Sequence, residues 1–184
     1  MLALNFTPFP TLTTDRLLLR KIVMEDAPEL FFQRTDERVM KYIERPRPTS
    51  IDDTYAFITK ITEAEKNNEL ITWGITLKND PKLIGTVCYL NIQKENHRSE
   101  LGYALHPDHW GKGVMNEVLD AVIDYGFKEM KLHSIVANIN PANIGSQKLL
   151  EKHKFVREAY FKENFLWQGK FLDSAIYTLL TPLK

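Results

Sequence analysis

Val114, Met115, Val118, Leu119, Val122, Ile123, Phe127 and Met130 recur at three- and four-residue steps, while Asn116, Glu117, Asp120, Asp124 and Lys128 fall between them. That spacing predicts a helix over residues 113–130 with an apolar stripe wide enough to pack on a sheet. Shorter apolar runs predict strands over 16–22, 71–77, 83–92, 99–105, 133–138, 155–165 and 171–180. Asp26 with Glu29 reads as a capping box for a short helix whose apolar residues include Leu30 and Phe31. Met40–Ile43 follows, and Pro46 and Pro48 mark a loop. Ser50 with Asp53 starts a second helix carrying Tyr55, Ile58 and Ile61 on one face to about Asn67. Asn140, followed by Pro141, is expected to cap a last helix. Its stripe is Ala142, Ser146, Leu149, Leu150 and His153, and it stops near Lys154.

Turn residues join these elements. Asn79-Asp80-Pro81 and a polar connection near Glu95–Arg98 are short, so the three strands between 71 and 105 are expected to form an antiparallel meander. The strand at 133–138 enters after a helix and is expected to lie parallel to 99–105. The last two strands form a hairpin around Gln168-Gly169. The expected architecture is α/β: a mixed, mostly antiparallel sheet flanked by helices, with a central βαβ unit, in a single domain spanning 1–184.

Composition narrows the class without altering that outline. The chain has 184 residues, 43% hydrophobic and 26% charged, with formal net charge zero. These values suit an ordinary globular protein with a real core. The zero charge and lack of a long basic run argue against nonspecific nucleic-acid binding. No apolar run is long enough to span a bilayer. The single cysteine, Cys88, lies in an apolar segment, reads as a buried thiol, and permits no intrachain disulfide. With no basic leader before Pro8 and Pro10, the expectation is a cytoplasmic protein without a membrane partner.

The stretch HPDHWGKGVMNE, residues 106–117, is where chemistry is expected. Gly111 and Gly113 flank Lys112 where the long helix begins. Glycines there let main-chain N–H groups converge, and the helix adds unpaired N–H groups and its positive dipole end, which together make an anion site. The spacing is neither Walker A nor G-x-G-x-x-G, because Val114 follows Gly113 and Asn116 occupies the third glycine's place. A tight strand-to-helix turn without a ligand would use the same residues.

This loop resembles the acyl-CoA pyrophosphate loop of the GNAT N-acetyltransferases, Q/R-x-x-G-x-G/A, over Asp108–Gly113. LTTDRLLLRKI, LIGTVCYLNI, SELGYALHPDHWGKGVMNEVL and NPANIGSQKLLEKHKF, in that order, resemble the branch of ribosomal-protein N-terminal acetyltransferases. Two positions depart from the pattern. Asp108 replaces Gln or Arg and would repel phosphate, so backbone donors must supply most of the grip. Lys154 stands where the branch has a helix-ending glycine.

The resemblance implies acetyl-CoA as co-substrate and no metal. Its pyrophosphate would meet Trp110, Gly111, Lys112, Gly113, Val114 and Met115. Trp110 is expected to wedge the loop, and Met115 is a core residue before it is anything else. The backbone of Tyr103–Leu105 would take the pantetheine amides, with Asn143 and, more weakly, Asn138 nearby. Asn143 also reads as a helix cap.

Acyl transfer to an amine needs a base, a polarised carbonyl and a proton for the departing thiolate. Glu100 shares a strand face with Gly102 and Ala104, which leaves room for a substrate, and the resembled branch carries Glu here. A solvated glutamate or an ion-pair partner for Arg98 is the plain alternative, and Asp173 is the runner-up base. Ser146, a lone hydroxyl on its helix's inward stripe, would assist thiolate departure. It could equally bond back to the carbonyl of Ala142. His106 and His109 have no third ligand nearby, Trp73 reads as core, and Trp167 at the hairpin tip could border the acceptor. The expected function is acetyl-CoA-dependent N-acetyl transfer to a primary amine, a protein or peptide N-terminal α-amine or a small amine, by a monomer or homodimer. The alternative is a non-catalytic acyl-CoA-binding or sensing module on the same fold.

Overall fold

The computed structural model describes residues 1–182. Its strands are β1 (Leu12–Thr13), β2 (Leu17–Lys21), β3 (Ile71–Leu77), β4 (Asp80–Gln93), β5 (Arg98–Leu105), β6 (Ser134–Ile139), β7 (Val156–Trp167) and β8 (Lys170–Leu180). Its α-helices are α1 (Ala27–Thr35), α2 (Glu37–Met40), α3 (Ile51–Lys66), α4 (Val114–Lys128) and α5 (Ile144–Lys152). The strands form one sheet in the order β1-β2-β3-β4-β5-β6-β8-β7. Every neighbouring pair is antiparallel except β5 and β6. The mixed, mostly antiparallel sheet and the β5-α4-β6 unit are those the sequence pattern predicts.

Helices cover both faces. Val114, Val118, Leu119 and Val122 of α4 pack with Trp73, Val87, Tyr89 and Leu101 in the main core, and Leu150 brings α5 to the same side. Val118, Leu119 and Val122 have no exposed surface. Burial of each such side chain contributes about 1.5–3 kcal/mol. On the other face Ala27 and Leu30 of α1 and Ile58 and Ile61 of α3 close over Ile22 and Leu83. Among the described residues no helix is long and apolar enough to cross a membrane.

Several local expectations change. The Asp26 carboxylate does not cap α1. It accepts two bonds from Arg20 at 2.7 Å and one from the N–H of Val23, because a bidentate guanidinium is a stronger partner for this buried carboxylate than a helix end. Ser50 and Asp53 do form a capping box at α3, but its buried face is Thr54, Ile58, Ile61 and Glu65, with Tyr55 turned outward. The turn before β4 lies at Lys78-Asn79, so Asp80 and Pro81 already belong to the strand. Asn140 accepts from the N–H of Ala142, and it is Asn143 that caps α5 through Ser146. Gln168 (φ 46°) and Gly169 (φ 77°) turn the β7–β8 hairpin with the paired positive φ of a tight two-residue loop.

Candidate active site

Gly111 (φ 70°) and Gly113 (φ 74°) both occupy the left-handed region, and Gly113 is the N-cap of α4. Side-chain crowding does not require glycine there. No atom lies within 4 Å of a Cβ added at Gly111, and only Arg16 Nη2, at 3.7 Å, approaches one at Gly113. The requirement is conformational, and it leaves open space over the N-terminus of α4, which suits a phosphate. Arg16 fixes the loop. Its Nη1 donates to the carbonyl of Lys112 at 3.1 Å, and its Nε donates to Glu117 in the first turn of α4 at 2.6 Å. Sequence reading missed this residue because its partners lie about a hundred positions away. The Trp110 indole donates to the carbonyl of Leu105 at 2.8 Å, which locks the loop to the end of β5. Asp108 is largely exposed, with its carboxylate 3.8 Å from His106.

Beside the loop the sheet opens. β5 pairs with β6 only at Arg98, Ser99 and Glu100, yet stays bonded to β4 as far as Leu105. The edge of β5 from Leu101 to Leu105 therefore faces no strand on its β6 side, and Ala137, Asn138 and Ile139 have likewise left β5 for β8 alone. The gap belongs to a cleft of about 1320 Å³ that reaches from Gly111 and Gly113 past Tyr103 to Glu100. Free main-chain donors and acceptors along one wall suit an extended chain with amide groups.

Glu100 marks the point where the strands part. A bulge in β4, with Asn91 at φ 50°, turns the Asn91 amide onto its carboxylate at 2.9 Å. The alternative pairing with Arg98 is absent among the described residues. Asp173 also lines the cleft, but Tyr160 and the N–H of Glu163 both donate to it. Those bonds, chiefly that of Tyr160, hold its carboxyl below the usual carboxylate range and make it the weaker base.

Ser146 is buried on α5, and its Oγ lies 2.6 Å from the Tyr103 hydroxyl, not on the carbonyl of Ala142. Burial pushes the Tyr103 phenol up to about 12 against a smaller downward pull from Ser146. It is a protonated donor at neutral pH. Sequence reading valued Tyr103 for its backbone alone; the alternation that places it on the α5 face was the signal for its hydroxyl. Asn143 spends Oδ1 on its cap, which leaves the amide NH2 for a ligand, and Asn138 lies exposed on the cleft wall. Cys88 is half-buried on the cleft wall rather than enclosed as expected, yet desolvation raises its thiol to about 11, so it is no thiolate nucleophile. Trp73 is wholly buried, while Trp167 stacks on Phe165, which itself lines the cleft. No group of three or more potential metal ligands occurs among the described residues.

The glycine loop, the free edge of β5 and the Tyr103–Ser146 hydroxyl pair thus lie along one cleft. The chain belongs to the acetyltransferase (GNAT) domain family, which matches residues 16–156, and it is an acetyltransferase. It is 34% identical over 170 residues to the uncharacterised N-acetyltransferase p20 of Bacillus licheniformis, covering 92% of this chain and 96% of that one. It is 29% identical over 183 residues to the ribosomal protein uS5-alanine N-acetyltransferase of Escherichia coli, covering 95% and 93%. Among solved structures, a GNAT-family acetyltransferase from Bacillus anthracis shares 30% identity with a TM-score of 0.82, covering 93% of this chain and 98% of that one.

Proposed function

We propose that this protein transfers the acetyl group of acetyl-CoA to a primary amine of α-amine basicity, most readily the N-terminus of a peptide or protein. The observation that carries the reading is the parting of β5 and β6 directly after Glu100, which opens a cleft that runs past the Tyr103–Ser146 pair to the glycine loop. The activity for which the Escherichia coli relative is named, acetylation of a ribosomal-protein alanine, supports the acceptor class.

Acetyl-CoA supplies the thioester, whose carbonyl carbon is the electrophile. The N–H groups at Gly111, Gly113 and the first turn of α4 hold the pyrophosphate, and Arg16 keeps their carrier loop in place. The free edge of β5 aligns the pantetheine, and one of its N–H groups takes the carbonyl oxygen as it gains charge. Glu100, steadied by Asn91, accepts the proton that the amine loses as its C–N bond forms, directly or through one water. The Ser146 hydroxyl donates to the sulfur as the C–S bond breaks, with the Tyr103 hydroxyl bonded behind it. A serine alone is a weak acid; bonded to a phenol, it can be reprotonated without waiting for solvent.

The test is free-thiol release with short peptides bearing free or blocked N-termini, blocked twins with a lysine, and small amines. Release with free N-termini and none with blocked lysine peptides is expected. Tight CoA binding without release from any amine would point instead to a binding module.

A further inference from the structure

Arg45 lies on the connection between α2 and α3 and lines the cleft. Its Nε is buried without a hydrogen-bond partner, and no carboxylate pairs with its guanidinium among the described residues. Behind it Arg34, over the ring of Phe57 at 4.0 Å, also has a buried, unpartnered Nε. Burial, and then the charge of Arg45, lowers Arg34 to about 10. Two neighbouring half-buried cations, neither paired with an anion among the described residues, favour binding one.

None of the carboxylates that line the cleft pairs with Arg45. Glu44 accepts from Asn140 at 2.7 Å, Glu100 from Asn91, and Asp173 from Tyr160 and Glu163. The Glu44 bond ties the loop to the connection after β6, so Arg45 is presented from a fixed support.

Its position separates it from the donor's phosphates. Arg45 and Cys88 are close enough for each to bear on the other's charge. Cys88 pairs with Gly102, three residues before Leu105 on β5. That is about 10 Å of strand back from the end of β5, beyond which the glycine loop lies. Arg45 therefore faces the end of the cleft where Glu100 stands and the amine must arrive.

We propose that the acceptor carries an oxyanion, a carboxylate or a phosphate, a few bonds from its amine, and that Arg45 binds it. The inference rests on the acceptor reading given above, and it names a chemistry that reading leaves open. A guanidinium edge offers paired N–H donors that match such a group in a bidentate fork. The bound anion also relieves the Arg34–Arg45 repulsion. A polycationic amine would add a third charge and is disfavoured.

The experiment compares N-acetylated peptides in which Asp, Asn or phosphoserine is stepped from the second to the fourth position, bound to CoA-loaded protein by calorimetry. At one position the Asp or phosphoserine peptide should bind about tenfold or more tighter than its Asn twin. The better of the two anions identifies the natural one. Arg45→Gln should erase the preference and Arg45→Lys should keep part of it. Equal binding of all three peptides at every position overturns the proposal, as does a preference that survives Arg45→Gln. Should Arg45→Gln fail to fold, an Arg45→Lys variant with undiminished preference overturns it equally. The unblocked peptides test the acceptor reading separately. If none is acetylated, that reading falls, while the blocked series still decides the role of Arg45.

Discussion

The hydroxyls of Tyr103 on β5 and Ser146 on α5 meet at 2.6 Å across the opening between β5 and β6. Either atom can donate, and only one can occupy the bond to a departing thiolate while the other supports it. The two should therefore act as one unit. Tyr103→Phe and Ser146→Ala are each expected to lower kcat by about 10- to 100-fold, with the KM for acetyl-CoA changed much less. The double variant should be little worse than the poorer single. Thiol-release kinetics on the four proteins measure this, and fully multiplicative losses would show that the hydroxyls act separately.

At the other end of the cleft, Gly113 has φ 74° at the N-cap of α4. A β-branched residue is a genuine outlier in that conformation. Gly113→Val should twist the loop, move its N–H groups off the pyrophosphate and weaken CoA binding by about tenfold or more. Lys112→Ala should cost less, since the carbonyl that Arg16 holds survives the change. Calorimetry on the folded variants checks the order. Unchanged affinity in Gly113→Val would remove the loop from the binding site.

Lys154, at φ 68°, ends α5 with two reversed bonds: its N–H reaches the carbonyl of Glu151, and that of Phe155 reaches the carbonyl of Leu150. This is the Schellman arrangement, with Phe155 and Leu150 both in the core. The position asks for glycine and holds lysine. Lys154→Gly should stabilise the fold by about 0.5–1 kcal/mol, a rise in Tm of roughly 1–4 °C. A lower Tm would mean that the lysine side chain contributes something the backbone does not reveal.

Glu65, buried on α3, has its carboxyl raised to about 7 by burial, against smaller downward pulls from its bond to the Thr72 N–H and from Lys21. The fold keeps a proton that the unfolded chain gives up above about pH 4.5. Its stabilising share is thus complete at low pH and disappears as pH rises through about 7. Glu65→Gln keeps the acceptor for Thr72 and removes the titration. It should raise stability at pH 8 by up to roughly 3 kcal/mol and change it little at pH 5. Denaturant melts at both pH values test the sign.

What could be read from sequence follows the range of the interaction. α4 was legible because seven apolar positions repeat along one face, and the glycine loop because its glycines adjoin that helix. The wide stripe required a sheet, and the short connections required antiparallel neighbours. Caps were less legible. Asp26 had a local use at α1 and took a stronger one with Arg20 from β2, while Asn140 and Asn143 both had cap chemistry and only the backbone chose between them. The Tyr103–Ser146 bond, the hold of Arg16 on Lys112 and the isolation of Arg45 join or separate residues distant in sequence. No local pattern encodes them.

Glu100 is the remaining case, since its placement where β5 and β6 part and its bond to Asn91 leave the proton step to be measured. A model α-amine has a pKa near ~8, against roughly 10.4 for a lysine side chain. At neutral pH a useful fraction of an α-amine is already neutral, and a carboxylate acting directly or through water is sufficient help. Glu100→Gln keeps an acceptor for Asn91 and removes the base. Its kcat should fall much further below the parent's at pH 7 than at pH 9, where the amine deprotonates unaided. Asn91→Ala should give a smaller loss with the same dependence on pH, because it loosens the carboxylate without removing it. The measurement is a pH–rate profile of the three proteins on a short peptide and on its N-terminally blocked, lysine-containing twin. A Glu100→Gln ratio that stays constant from pH 7 to 9 would take Glu100 out of the base role, and faster turnover of the blocked twin would defeat the α-amine assignment.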